Sequence, residues 1–156
     1  NSTTREPSEC TSAVGLLCRL YTGWNKNDPR LLQGVNQLLK SNTHPALLLY
    51  RNFYLAQILL HIDHPSWDQW NRRNRDFLVR TQVTETTRMD QRNPAFGSPL
   101  CEIGSWYLTN PRGATKNAIR DRHLAPAGRL AHTALAILTL EVYYRLLPVY
   151  KPAAIE

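Results

Sequence analysis

The strongest constraint on the fold is an alternation between two kinds of helical segment. Segments 11–23, 46–62 and 129–147 are apolar on almost every side, whereas segments 29–40 and 66–82 each carry a single apolar stripe. A helix that is apolar all round has neighbours on every side, while a striped helix has water at its back. The order therefore predicts an all-α fold of helical hairpins in two layers, with the first helix of each hairpin inside and the second outside.

Both striped segments have recognisable helical signals. Asp28 precedes Pro29, a pair typical of an N-cap followed by proline at the first helical position. In the second striped segment, core-facing residues recur at the helical period. They are Trp67, Trp70, Asn74, Phe77 and Leu78. For the first apolar helix, the expected N-cap is Thr11 or Ser12.

The chain has the length of one domain. With 156 residues it can bury a sizeable core. We predict a tail or linker at 1–9, a domain at 10–151 with a long irregular connection at 83–127, and a second tail at 152–156. Because charged and polar residues interrupt the longest apolar run, within 130–144, we expect no transmembrane segment.

Charge and cysteine content narrow the possible partners. The net charge is +7, but the basic residues are scattered, and no nucleic-acid-reading module is evident. We therefore expect a solvated basic surface and no nucleic-acid partner. The three cysteines cannot all be bridged within the chain and form no Cys-x-x-Cys pair. Cysteines that form no disulfide bonds are typical of a reducing compartment. This slightly favours the cytoplasm, and the location is otherwise unknown.

A repeat motif appears at the end of the second striped segment. It consists of an aromatic residue, an aliphatic residue, three further residues, a glutamine, and later Gly-x-Trp. The residues are Arg75-Asp76-Phe77-Leu78-Val79-Arg80-Thr81-Gln82 and, further on, Gly104-Ser105-Trp106. The segments Trp67-Asp68-Gln69-Trp70-Asn71 and Leu138-Thr139-Leu140-Glu141-Val142-Tyr143-Tyr144-Arg145 add to the pattern.

This pattern resembles the prenyltransferase/squalene-oxidase repeat (the QW motif) of terpenoid cyclases and protein prenyltransferases. Over residues 11–150 the chain is similar to the C-terminal part of bacterial, often planctomycete, members of the family. The resemblance implies an α/α toroid, a ring of inner helices within a ring of outer helices. Complete rings use five or more hairpins. Two hairpins and a fifth helix would therefore form an arc, or incomplete ring, belonging to a longer protein.

The resemblance also implies a structural clasp between hairpins. In the family, the glutamine of an outer helix bonds to backbone near the next repeat and a tryptophan ring stacks against it. Here the clasp would consist of Phe77, Gln82, Gly104 and Trp106. The chain departs from the family pattern because some twenty residues separate Gln82 from Gly104. The alternative is that Gln82 lies exposed at a helix end and that Trp106 belongs to the core.

The catalytic residues of the family are missing from the chain. No Asp-x-Asp-Asp string, the acid motif of the squalene–hopene cyclases, is present. In prenyltransferases, zinc is held by an Asp-x-Cys pair and a distant histidine. Cys101 and His132 resemble two of these ligands, but Pro99 stands where the aspartate would be. A catalytic zinc site needs three protein ligands. We therefore predict no catalytic residues, no metal and no cofactor.

Four polar or aromatic residues of the inner helices are candidates for lining a ligand site, with ordinary packing as the alternative. They are Tyr54, Gln57, His132 and Tyr143. We thus expect a non-catalytic repeat domain that binds a protein partner, the remaining repeats of a longer chain, or an apolar ligand. The alternative is a fragment of a terpene-cyclase-like or prenyltransferase-like enzyme whose catalytic residues lie in missing repeats. The exposed apolar ends of the arc are expected around Val14, Leu17 and Tyr21 and around Leu138 and Val142.

Overall fold

A computed structural model describes residues 8–41, 48–84, 103–106 and 128–145. Within these ranges all regular secondary structure is helical, which confirms the all-α prediction. The helices are α1 (Glu9–Tyr21), α2 (Pro29–Leu39), α3 (Leu49–His61), α4 (Trp67–Thr81) and α5 (Gly128–Arg145). Of the predicted connection at 83–127, the structure describes only residues 83–84 and 103–106.

The helix starts show where local signals succeed and fail. Asp28 caps α2 as predicted, because its carboxylate accepts the backbone N–H of Arg30 at 2.8 Å and Pro29 follows it. The predicted cap of α1 was wrong. Ser8 is the N-cap, and its hydroxyl accepts the N–H of Thr11 at 3.3 Å. The helix therefore begins at Glu9, and Thr11 lies within its first turn.

Helices α1 and α3 run parallel, while α2 and α4 run antiparallel to them. Glu9 and Arg51, at the starts of α1 and α3, form an ion pair of 2.6 Å, and Tyr21 and His61 approach at the ends of the same helices. Ser41, just after α2, donates to Glu9 at the start of α1. In α4, Asn74 accepts from Asn52 of α3 at 3.2 Å. Since Leu78 near the end of α4 shares a cluster with Leu49 at the start of α3, these two helices run in opposite directions.

Helix α5 runs in the same direction as α3. Its residues between 131 and 140 pack in a small cluster with Leu49, at the start of α3. Val142, further along α5, belongs instead to the main cluster, which contains Leu55 and Leu59 of α3. The described helices therefore comprise three that point one way and two that point the other.

Helix α3 lies at the centre of the described part and contacts each of the other four helices. The largest completely buried side chains come mostly from α3 and from the stripes of α2 and α4. They are Leu31, Val35, Leu49, Leu55, Ile58, Leu59 and Leu78. The stripes of α2 and α4 thus face the core, and the four arginines on the back of α4 are exposed, as the periodicity predicts.

All-round burial was predicted for three helices, and for α1 and α5 the prediction was wrong. In α1, Cys18 and Tyr21 are exposed, and in α5, Leu130 and Tyr144 are exposed. Among the described helices, only α3 has described neighbours on most of its sides, because α1 and α5 lie at its flanks. Apolar composition on every face does not specify which of those faces will be covered.

The expected arc ends were also partly wrong. Leu17 and Val142 are 5% and 3% exposed and belong to the core, whereas Tyr21 is exposed as expected. None of the described helices combines the length and apolar character required to cross a bilayer.

Candidate functional site

One face of α3, together with the end of α1, forms a partly exposed surface rich in tyrosine. Its residues, here called the tyrosine face, are Tyr21, Tyr50, Tyr54, Gln57 and His61. The four from α3 are spaced by four, three and four residues, which places them on one side of a helix. Tyr50, Tyr54 and Gln57 are half-buried, while Tyr21 and His61 are exposed. Two of the predicted ligand-site residues, Tyr54 and Gln57, thus lie together.

Hydrogen bonds and ring contacts connect the tyrosine face. The Tyr54 hydroxyl donates to the Tyr50 hydroxyl at 3.2 Å, and their ring centroids are 4.9 Å apart. The Tyr21 hydroxyl donates to Gln57 Oε1 at 3.3 Å and lies 3.4 Å from His61 Nε2. The Tyr21 and His61 rings meet edge to face at 5.6 Å. These contacts hold polar atoms of α1 and α3 in a defined arrangement.

The pKa shifts of two residues on the tyrosine face favour uncharged side chains. Burial, followed by the hydrogen bond with Tyr50, raises the pKa of Tyr54 to about 12. Burial also lowers the pKa of His61 below its usual value. A phenol and a neutral imidazole remain, which can donate and accept hydrogen bonds but supply neither an anionic nucleophile nor a cation. The surface suits binding through aromatic contact and neutral hydrogen bonds.

The other two candidate ligand residues lie apart on α5. His132 is buried, and its Nδ1–H donates to the carbonyl of Gly128 at 2.8 Å, one turn earlier in the same helix. Tyr143 is 43% exposed and packs edge-on against Tyr144. Eleven residues of helix separate His132 from Tyr143, a rise of about 16 Å. The structure therefore does not bring these two residues together.

The residues proposed for a clasp lie at the junction between α4 and residues 103–106. Gln82 Nε2 donates to the carbonyl of Gly104 at 2.8 Å. The backbone of Val83 bonds in both directions, since its N–H donates to Ser105 and its carbonyl accepts from Gly104. Gly104 has φ +84°, a conformation that glycine adopts without strain. Gln82 thus contacts the backbone of the Gly-x-Trp segment, despite their separation in sequence.

Trp106 joins three helices at this junction. Its side chain is 4% exposed and packs in the cluster of Leu49, Leu78 and Ala136, with Phe77 half-buried at the edge. The indole Nε1–H donates to the carbonyl of Leu78 at 2.7 Å, and the backbone N–H donates to the hydroxyl of Thr133 at 3.1 Å. The tryptophan therefore connects α3, α4 and α5.

A buried polar network was missed by the sequence analysis. Arg51, Asn52 and Asn74 are only 3–6% exposed. Arg51 pairs with Glu9 and also donates to Asn52 Oδ1 at 3.1 Å, while Asn52 donates to Asn74 at 3.2 Å. Burial lowers the pKa of Arg51, although the carboxylate of Glu9 opposes this shift. The available signal was the presence of an arginine and an asparagine inside an apolar helix, with Asn74 in the stripe of α4.

The histidines near the end of α3 have contacts of their own. His64 Nδ1 accepts the backbone N–H of Ser66 at 3.1 Å, immediately before α4, which is a capping role. Asp63, at φ +52°, binds Lys26 at 2.9 Å. Within the described ranges, no three histidine, cysteine or acidic side chains are grouped as metal ligands would be. Cys101, half of the zinc pair considered above, lies outside those ranges.

No protein-family model matches this chain, nor does any curated protein or solved structure. The resemblance to the repeat family therefore rests on the sequence motifs alone. Function has to be argued from the geometry of the described residues.

Proposed function

We propose that this chain is a non-catalytic α/α-toroid repeat domain, part of a longer protein, that binds a protein partner or an apolar ligand. The helix directions support this proposal. Helices α1, α3 and α5 run in one direction. Helices α2 and α4, which follow α1 and α3 along the chain, run in the opposite direction. Successive hairpins of an arc would have this order, with α5 as the first helix of a third hairpin.

The tyrosine face is the observation that carries the binding proposal. It lies on α3, the central helix, where the packing of neighbouring helices defines its position. Tyr54 and Gln57 offer a neutral hydroxyl and an amide beside half-buried aromatic rings. Binding sites commonly combine apolar walls with a few polar groups that set orientation. A ligand with an apolar body and one hydroxyl, or an apolar segment of a partner, would match this surface.

The pKa shifts on the tyrosine face support binding through neutral hydrogen bonds rather than acid–base catalysis. Two of its titratable groups, Tyr54 and His61, have pKa values shifted toward the neutral form. General acid–base catalysts instead have pKa values near the working pH, with a partner that activates them. The junction at Gln82 and Trp106 has a structural role in this proposal, because it ties one hairpin to the helix that follows.

The binding proposal can be tested by NMR titration with farnesol, an alcohol with an apolar C15 chain. We expect shifts of the Tyr54 ring and the Gln57 side-chain amide signals. The double variant Tyr54→Ala/Gln57→Ala should weaken binding about tenfold or more, as hot-spot truncations do. Val79→Ala is the matched control, since Val79 is an exposed apolar residue of α4 outside the tyrosine face. Unperturbed Tyr54 and Gln57 signals, or equal loss in the control, would contradict the ligand site.

A further inference from the structure

The side of α5 that faces away from α3 carries an apolar stripe that a single charged residue, Glu141, interrupts. Leu130, Ile137 and Tyr144 are 82%, 42% and 72% exposed. Ala134 is also exposed, and Glu141 is half-buried. We call these five residues the α5 stripe. They follow one another at intervals of four, three, four and three residues, so that they form a single line along the helix.

The buried residues of α5 occupy the opposite side. His132, Ala136, Thr139 and Val142 recur at intervals of four, three and three residues and face the protein interior. A helix of a globular protein normally has one apolar side, directed at the core, and one polar side. Helix α5 has apolar residues on both sides, with His132 and Thr139 among those on the inner side and Glu141 on the outer side, which accounts for the absence of a clear stripe in its sequence. Its outer side therefore requires an explanation other than packing against α3.

The spacing of the α5 stripe indicates that its partner is another helix. Alternating intervals of four and three residues are the repeat that two packed helices use along a coiled-coil seam. Of the other exposed large apolar residues in the described ranges, Tyr143 lies elsewhere on α5, whereas Val79 on α4 and Ile103 near Trp106 lie on other elements. Scattered single residues are normal at a protein surface, whereas a contiguous apolar patch marks an interaction site.

We propose that the α5 stripe binds the α5 stripe of a second copy of this chain, with the two helices antiparallel about Ile137. The stripe is self-complementary in this arrangement. Ile137 meets Ile137 of the other copy on the two-fold axis, and Leu130 meets Tyr144. The small Ala134 comes within one residue, or about 1.5 Å along the helix axis, of the level of Glu141 in the other copy. A single two-fold axis through Ile137 thus relates the three large apolar residues of the stripe, as a symmetric dimer interface requires.

The exposed area agrees with this partner. A largely exposed tyrosine or leucine offers on the order of 100–200 Å², so the stripe and its margins provide roughly 500–600 Å² per copy. Two copies would then bury on the order of 1,000–1,200 Å², the lower limit of specific protein interfaces. We therefore expect a reversible dimer. This inference concerns a different side of the molecule from the tyrosine face and holds whether or not that face binds a ligand. It applies to this 156-residue chain on its own, because in the proposed arc a further repeat would pack on the same side of α5.

The oligomeric state of the purified chain tests the proposal. Sedimentation velocity between about 1 and 200 μM should show a monomer–dimer equilibrium. Ile137→Glu places two carboxylates together on the axis and should raise the dimer Kd about 100-fold or more. Val79→Glu is the matched control, because it introduces the same charge at an exposed apolar position of another helix. It should leave the Kd within about threefold.

A cross-linking experiment tests the antiparallel register. In a background with Cys18→Ser and Cys101→Ser, chains with Leu130→Cys are mixed with chains with Tyr144→Cys and mildly oxidised. The proposal predicts that mixed disulfide dimers form faster than dimers of either variant with itself. A monomer at 200 μM, a dimer insensitive to Ile137→Glu, or faster cross-linking within each variant would overturn the proposal. A monomer that binds hydrophobic dye through α5 would assign the stripe to a different partner.

Discussion

Replacement of Trp106 tests the junction that holds α3, α4 and α5 together. Trp106→Ala removes a side chain that is 4% exposed and leaves a cavity among Leu49, Leu78 and Ala136. Truncation of a buried tryptophan typically costs about 3–5 kcal/mol in the free energy of unfolding. Trp106→Phe retains an aromatic ring but loses the indole donor to Leu78. That carbonyl also accepts from the N–H of Gln82, so the loss of this hydrogen bond should cost only about 1 kcal/mol.

The two variants and a third give an ordered series. Gln82→Ala removes a hydrogen bond to Gly104 at the surface, and we expect it to cost less than about 1 kcal/mol. Urea unfolding followed by circular dichroism at the helical band would give the three values, provided that the slope against urea is unchanged. The loss in the free energy of unfolding should be largest for Trp106→Ala, smaller for Trp106→Phe and smallest for Gln82→Ala. A cost below about 1 kcal/mol for Trp106→Ala would refute the packing described for residues 103–106.

Three further outcomes follow from individual contacts. Arg51→Ala should destabilise the protein by about 1–3 kcal/mol, because the buried Asn52 Oδ1 loses its donor while the partly exposed Glu9 can be solvated, and Arg51→Met should cost less. Gly15→Ala should stabilise α1 by about 1 kcal/mol, because alanine favours the helix. Gly34→Ala should give no such gain in α2, because the added Cβ would lie 2.9 Å from the Leu16 side chain. Thermal unfolding of the two variants compares these effects. Burial lowers the pKa of His64, so the unfolded chain binds protons more readily and stability should fall as pH drops below about 6.5. His64→Asn should reduce this slope between pH 7.5 and 5.5, since asparagine can accept the same N–H without titrating.

Helices α2 and α4 could be predicted from sequence because each carries a clear local signal. Asp28 and Pro29 mark the start of α2, and the stripe through Trp67, Asn74 and Leu78 defines the inner side of α4. Each signal acts within a few residues along the chain. Such local patterns survive folding when the surrounding structure does not oppose them.

The faces of α1 and α5 could not be predicted for a corresponding reason. When a helix is apolar on every side, any side can form the core contact. The choice depends on neighbours that are distant in sequence. Val142 was expected at an exposed end and is buried, whereas Leu130 and Tyr144 are exposed.

Prediction of the site residues had a similar limit. Of the four residues predicted to line one site, Tyr54 and Gln57 lie together, because their spacing within α3 decides that question locally. The contribution of Tyr21 depends on the parallel packing of α1 and α3, which the sequence does not state. The buried role of Arg51 was missed for the same reason, since its partner Glu9 is 42 residues away.

The direction of α5 relative to α1 tests the central claim, an arc of parallel inner helices, most directly. Arg19 and Tyr143 are both exposed and lie near the C-terminal ends of α1 and α5. After the native cysteines are replaced, spin labels at these two positions allow the distance between them to be measured by pulsed electron paramagnetic resonance. Neighbouring helices lie 8–10 Å apart, so parallel α1 and α5 on either side of α3 predict a label distance of about 20 Å. Antiparallel packing would add the length of α5 and give about 30 Å or more. A single population near 20 Å is the result that the account predicts, and a population beyond 30 Å would contradict it.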